Sequence, residues 1–339
     1  MRELWGTNEV LPEVSVKCKV PKQVADEILN PQSKTQVARA MRKQKKNKAP
    51  GEYLIPNEIW KLLEGEGLDD LVQVLEECRK TNTFPKGWGI TEVRWLYKKD
   101  DPTNIKNYRP IALTDTLYKI FMRIMTERVD EIVERHGLIS DDQHGFRRDR
   151  SCHSAIMTLK YIMARSRAER KPLHVAYLDI SKAYDTVNHE QLWKICESHG
   201  IEGKWLENLK RLYQDTTLRA ITAQGLTEGI EMKRGIRQGC PLSPVLFALY
   251  IEPIAQKLEQ TLKEEGMFKP GKPNMLFYAD DMVLWAETKT ELTMKLTTVV
   301  DMMEKLGLQI SIDKTEIQCN TQAAMENEDI CIETGKGRQ

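Results

Sequence analysis

Two apolar runs meet at a pair of acids: Met275-Leu276-Phe277-Tyr278-Ala279, then Asp280-Asp281, then Met282-Val283-Leu284-Trp285-Ala286. Apolar runs of this length predict two buried strands, and the acidic pair between them predicts a hairpin tip. A second run, Leu173-His174-Val175-Ala176-Tyr177-Leu178, follows Pro172 and predicts a buried strand that ends on Asp179. Asn188 with Gln191 three places on is an N-cap pattern, so a helix is expected near 188–199, closed by Gly200. The next helix sets Trp205, Leu206, Leu209, Leu212 and Tyr213 on one face.

Upstream, the spacing predicts helices near 33–44, 57–64, 69–80, 115–136 and 151–168. Residues 217–235 read as a hairpin through Gln224-Gly225. Ser243 is expected to cap a long helix with Pro244 at its first position, and Pro253 to kink it. A helix near 291–306 closed by Gly307 and a strand at 308–312 complete the pattern. Strand, helix, hairpin, helix, strand is the ferredoxin-like order, so the class is α+β.

Adjacent carboxylates inside an apolar run repel unless a cation holds them, and hard oxygen ligands at a hairpin tip suit Mg²⁺. A polar turn alone would explain Asp280-Asp281, since Asp is common in turns. Asp179, at the end of a second buried strand, weighs against that. Three carboxylates so placed are what a two-metal phosphoryl-transfer site requires.

The 339 residues are long enough for two or three domains or one large one, and an apolar content of 40% is ample for a core. The formal net charge is +1, but residues 34–48 hold Lys34, Arg39, Arg42, Lys43, Lys45, Lys46 and Lys48 without an acid. That block reads as a phosphate-binding arm, a nuclear-import patch or a solvated tail. Seven cysteines, an odd count with no Cys-x-x-Cys pair, point to reduced intracellular thiols and away from a zinc site. No run reaches the roughly 18 apolar residues of a membrane span, and no signal peptide opens the chain.

Six blocks in order resemble reverse transcriptases, with the flavour of non-LTR (LINE-like) retrotransposons. Tyr177-Leu178-Asp179-Ile180-Ser181-Lys182-Ala183-Tyr184-Asp185 looks like the first palm motif. Arg234-Gly235-Ile236-Arg237-Gln238-Gly239-Cys240-Pro241-Leu242-Ser243-Pro244 looks like the second. Phe277-Tyr278-Ala279-Asp280-Asp281 looks like the third, and Leu306-Gly307-Leu308-Gln309-Ile310-Ser311-Ile312-Asp313-Lys314-Thr315 like the fourth. Asn107-Tyr108-Arg109-Pro110-Ile111-Ala112-Leu113 and Gln143-His144-Gly145-Phe146-Arg147-Arg148 look like fingers blocks. Asn47-Lys48-Ala49-Pro50-Gly51 and Ile55-Pro56 match the opening of the domain, and the likeness spans roughly 34–319.

The resemblance implies a polymerase right hand. An N-terminal extension would fill 1–33, fingers 34–172, a ferredoxin-like palm with an inserted helix and hairpin 173–319, and a polar tail 320–339. It implies an RNA-directed DNA polymerase joining dNTPs to a DNA primer on an RNA template with two Mg²⁺ ions, Mn²⁺ serving as a substitute. Asp179 and Asp280 would touch both ions, the Ile180 carbonyl the nucleotide-side ion, and Asp281 would support the pair. Tyr184 would lie under the incoming sugar and reject a 2′-hydroxyl, and Gln238 and Gly239 would meet the template–nucleotide pair. Lys98 and Arg109 would clamp the β- and γ-phosphates. Arg147, Arg148 and Arg150 would meet template phosphate, and Lys314 would protonate the leaving pyrophosphate. Residence in the nucleus after passage through the cytoplasm, and the rest of the element's polyprotein as a partner, are implied as well.

The chain departs from the pattern in places. Gly51-Glu52-Tyr53-Leu54 replaces the usual Gly-Pro-Asp-Gly, and Ser311 stands where Asn is usual. No aromatic-Leu-Gly primer-grip hairpin follows Cys319, so a thumb is expected to be absent. Neither an endonuclease nor a Cys/His knuckle is expected. A non-catalytic RNA-binding remnant is therefore the second reading. An RNA-dependent RNA polymerase is the third, disfavoured by Tyr184.

Overall fold

In the computed structural model, residues 5–6, 10–16, 20–214, 216–320, 333–334 and 337–338 are described. Apolar periodicity becomes helix at Lys34–Arg42 (α1), Gly65–Thr81 (α2), Thr116–His136 (α3), Cys152–Ala168 (α4), His189–Ser198 (α5), Lys204–Gln214 (α6), Ser243–Glu264 (α7) and Lys289–Lys305 (α8). The helix expected at 57–64 shrinks to the single turn Asn57–Trp60, and α2 starts earlier than its apolar stripe, at Gly65. Asn188 caps α5 as its sequence requires, accepting from the Gln191 N–H at 2.9 Å. The apolar face of α6, from Trp205 to Tyr213, is buried throughout.

Two sheets organise the chain. In the first, β1 (Ile90–Tyr97) pairs antiparallel with β2 (Tyr108–Leu113) and parallel with β4 (Thr217–Thr222). β4 folds back on β5 (Gly225–Leu226), Thr222 facing Gly225 around Gln224 as expected, and also pairs with β6 (Ile230–Glu231). The second sheet contains β3 (His174–Asp179), β7 (Met275–Tyr278), β8 (Asp281–Ala286) and β9 (Glu316–Cys319), in the antiparallel order β7-β8-β3-β9. With helices between β3 and β7 and between β8 and β9, this is the ferredoxin-like order. Met282, Leu284 and Ala286 alternate inward along β8 and are buried, as a period of two demands.

Two expectations are corrected. The last strand is not 308–312: only Ile310 bridges Ile180, residues 312–314 form a tight turn, and the edge strand is β9. The tight turn intervenes because Lys314 N–H bonds Ser311 O, which breaks the ladder. Ser243 does not cap α7. Leu242 occupies that place, and the Ser243 hydroxyl instead donates to the Arg237 carbonyl at 2.8 Å. Helix α7 continues through Pro253 to Glu264.

One core unites α3, α7, α8 and the second sheet, and it also takes in Val14, Val20 and Ile28 from the N-terminal segment. Arg237 is 1% exposed and stitches elements together. It donates to Trp88 O, Leu212 O and Thr216 Oγ1, and its guanidinium lies over the rings of Tyr118 and Tyr213. Most of the 320–339 tail lies outside the described residues. Among the described residues, no helix is long and apolar enough to cross a membrane.

Candidate active site

Asp179 ends β3 and pairs directly across from Asp281, the first residue of β8. Tyr278 pairs with the same Asp281, which leaves Ala279 and Asp280 as a two-residue turn. Ala279 has φ 60°, the first central position of a turn class where glycine is usual. Holding an alanine there costs about 1–2 kcal/mol, so surrounding contacts must enforce the turn. Three carboxylates from two distant segments thus share one end of the sheet. Partial burial raises the Asp280 carboxyl, and nearby Asp179 raises it further. Asp281 is raised by burial first and then by Asp280 and Asp179.

Cations face this end. Lys314 Nζ bonds Asp179 Oδ2 at 2.6 Å. Lys98 lies just past β1 and Arg109 on β2, close enough that burial first, and then Arg109 and Lys314, lower the Lys98 ammonium. At Ile180 the antiparallel bridge to Ile310 runs through Ser181 N–H to Gln309 O and Ser311 N–H to Asp179 O. That pattern leaves the Ile180 carbonyl outside the bridge. The donors are all hard oxygens, and their mutual repulsion is what a divalent cation relieves, so the residues present fit Mg²⁺. They do not form a finished cage: among the described residues no group of three or more His, Cys, Asp and Glu side chains closes on one point.

The second motif docks on the first through Gly235 N–H to Val187 O and Ile236 N–H to Tyr184 O. Tyr184 stacks on Phe247 with centroids 5.0 Å apart, and burial first and Asp280 second raise its phenol. Gly239 has φ 103°, and an added Cβ would stand 3.1 Å from Ala112 O, so glycine is needed here for the backbone itself. Gln238 Nε2 donates to Asp185 Oδ1 at 2.9 Å, and Trp5 Nε1 donates to the same oxygen at 3.3 Å. Burial pushes the Asp185 carboxyl up to about 6. Asp185 and Trp5 were not singled out from the sequence. Asp185 sits inside the first motif block, but nothing local marks Trp5.

The arginines of the 143–150 block differ among themselves. The Arg147 side chain is 6% exposed, grips Glu134 through two bonds of 3.0 and 2.7 Å, and donates to Ser140 O. Its donors are therefore committed inside the fold rather than offered to template phosphate. Arg150 pairs with Asp141, while Arg148 is exposed and donates to Glu127 O at 2.9 Å. The basic 34–48 block is mostly not a loose arm: its first part is α1, where Lys34 pairs with Asp69 and Arg39 with Glu127, and Lys43 at the C-cap pairs with Glu127 too.

Fold and site together define an α+β protein whose ferredoxin-order sheet gathers Asp179, Asp280 and Asp281 at one end. The profile of the family described as "Reverse transcriptase (RNA-dependent DNA polymerase)" matches residues 97–329, and the chain belongs to that family. Its relatives are retrotransposon proteins of the non-LTR kind. It is 30% identical to the Retrovirus-related Pol polyprotein from type-1 retrotransposable element R2 of Popillia japonica, over 68% of this chain and 32% of the relative. It is 28% identical to the Transposon TX1 uncharacterized 149 kDa protein of Xenopus laevis, over 86% of this chain and 21% of the relative. It is 22% identical to the RNA-directed DNA polymerase from mobile element jockey of Drosophila funebris, over 86% of this chain and 31% of the relative. The chain thus spans a minor part of each of these proteins.

Proposed function

We propose that this chain is the catalytic module of a non-LTR retrotransposon reverse transcriptase, with fingers before Leu173 and palm after it. It extends a DNA primer with dNTPs on an RNA template. The observation that carries the reading is the cross-strand pair Asp179–Asp281 with Asp280 in the adjoining turn, faced by Lys98, Arg109 and Lys314. Asp179, Asp280, the Ile180 carbonyl and Asp281 would hold two Mg²⁺ ions, Mn²⁺ substituting. When bound, these ions lower the pKa of the primer 3′-hydroxyl and neutralise phosphate charge.

The chain's own groups do the rest. The primer 3′-oxygen loses its proton and bonds the α-phosphorus as the bond to pyrophosphate breaks. Lys98 and Arg109 bind the β- and γ-phosphates, Arg as a planar fork and Lys as a point charge. Lys314, which bonds Asp179 Oδ2, would give its proton to the leaving pyrophosphate. Tyr184, braced by Phe247, fills the space a 2′-hydroxyl would need, and Gln238, held by Asp185, is aimed at the template–nucleotide pair. Arg148 is the exposed arginine of its loop best placed for template phosphate. Nuclear residence follows from the same reading.

Primer extension on an RNA template with Mg²⁺ and dNTPs tests it. Wild type is expected to extend and Asp280→Asn to lose extension altogether; full extension by that variant sinks the assignment. RNA affinity unaffected by replacing all three aspartates, with no extension by either protein, would favour the non-catalytic RNA-binding reading.

A further inference from the structure

We propose that Gln143 is a positioning residue for the Asp280-Asp281 hairpin, holding from behind the turn that carries both carboxylates. Its catalytic consequence rests on the polymerase reading above; its structural consequence does not.

In a two-residue hairpin the ladder closes on the flanking pair, here Tyr278 and Asp281, and leaves the first turn amide unused. That amide is Ala279 N–H, on a residue only 8% exposed, so water cannot serve it. Gln143 Oε1 accepts from it at 3.2 Å and from Gly145 N–H at 2.7 Å. Gln143 is itself 2% exposed, and its Nε2 has no partner among the described residues. The side chain is therefore spent on the acceptor contact.

The backbone around it is fitted to the same purpose. Phe277 N–H donates to Asp142 O and His144 N–H to Phe277 O, each at 2.8 Å, so residues 142–144 lie along the outer edge of β7. Gly145 then passes so close to the turn that an added Cβ would stand 2.3 Å from Ala279 N and 3.0 Å from its Cα. The loop thus abuts a turn that its own sequence disfavours, since Ala279 holds a left-handed φ. An acceptor on the preceding peptide and a close backbone wall fix the plane from which Asp280 projects. A neutral amide supplies the acceptor without adding a charge beside three carboxylates.

The test compares wild type, Gln143→Met, Gln143→Glu and Gly145→Ala as full chains. Met keeps the length and loses the acceptor; Glu keeps an acceptor but puts a carboxyl where the unpartnered NH₂ was, adding a charge or a proton beside the three carboxylates; the Gly145 change presses on the turn with Gln143 intact. Amide exchange is followed in peptides covering 275–284, with thermal melting and single-turnover extension alongside. Gln143→Met orphans two buried amides, Ala279 N–H and Gly145 N–H, and loss of the Ala279 bond is expected to speed exchange in that segment about 10-fold, within the range for an orphaned buried N–H. Melting should fall by only a few degrees and the dNTP concentration for half-maximal rate should hold, while the extension rate falls about 10-fold or more. Glu should fall between wild type and Met, because an acceptor stays while a charge or proton is added, and Gly145→Ala should mimic Met.

Wild-type exchange at 275–284 in Gln143→Met overturns the proposal. So does wild-type exchange at 275–284 in Gly145→Ala, or loss of protection across the whole chain, which would mark a merely structural role. If wild type itself extends nothing, the polymerase reading fails and the exchange data still decide the role of Gln143.

Discussion

Lys314 holds two places at once, and replacing it should separate them. Its Nζ is 2.6 Å from Asp179 Oδ2, with the lysine side chain 64% exposed and the aspartate 21%. A pair this open to water is worth about 0.5–1 kcal/mol. On the proposed reading Asp179 would hold a divalent cation where that ammonium now sits, so Lys314→Ala should lower the half-saturating Mg²⁺ concentration about 2- to 5-fold. On the same reading the change would remove the proton donor for pyrophosphate, and the rate at saturating Mg²⁺ should fall about 10²- to 10⁴-fold. Lys314→Arg keeps the charge on Asp179 but cannot release a proton near neutral pH. It should therefore leave the Mg²⁺ midpoint near wild type and still slow the chemistry. The assay is single-turnover primer extension across a Mg²⁺ titration at constant ionic strength. A midpoint that stays put or rises in Lys314→Ala would refute the displacement argument. A wild-type rate in Lys314→Arg would refute the proton transfer.

Other expectations follow from the same geometry. Arg147→Ala breaks a largely buried two-bond pair with Glu134 and should cost about 2–4 kcal/mol in denaturant unfolding. It should leave the salt dependence of RNA binding intact, whereas Arg148→Ala should flatten it. If Tyr184, stacked on Phe247, fills the sugar position as proposed, Tyr184→Val should raise ribonucleotide incorporation about 10-fold or more against the matching dNTP in a competition assay. Glu252 on α7 is buried, accepts from Ser140 N–H at 2.8 Å, and has its carboxyl pushed up by burial to about 8. The folded chain then keeps a proton that the unfolded chain releases above its ordinary 4.5, so this group's contribution to stability falls as pH rises from 4.5 to 8. Glu252→Gln should melt higher than wild type at pH 8 and converge with it near pH 5; parallel melting curves would refute this.

What the sequence disclosed follows the range over which each force acts. The hairpin, the cap of α5 and the apolar face of α6 are set by neighbours within a few residues, so Asp280 and Asn188 could be placed from spacing alone. The last strand was misplaced because 308–312 and 316–319 are both plausible strands locally, and only the edge of β3 chooses between them. Ser243 looked like a cap, yet its hydroxyl finds the Arg237 carbonyl, a bond that exists only once the Arg237 turn is folded.

Charge was the least legible quantity. Arg147 and Arg148 are adjacent in the chain, but the first is committed to Glu134 on α3 and the second stays at the surface. The α1 cations likewise meet Asp69 and Glu127, acids far away in sequence. A basic run therefore states how many cations a segment carries and not how many remain for a phosphate. The same reasoning explains why Gln143 and Trp5 were passed over. Each is a neutral side chain whose role is one hydrogen bond to a distant segment, Ala279 for the first and Asp185 for the second. Carboxylates that repel one another announce a site through their own sequence. The uncharged groups that hold them in register announce nothing until the turn they support has been built.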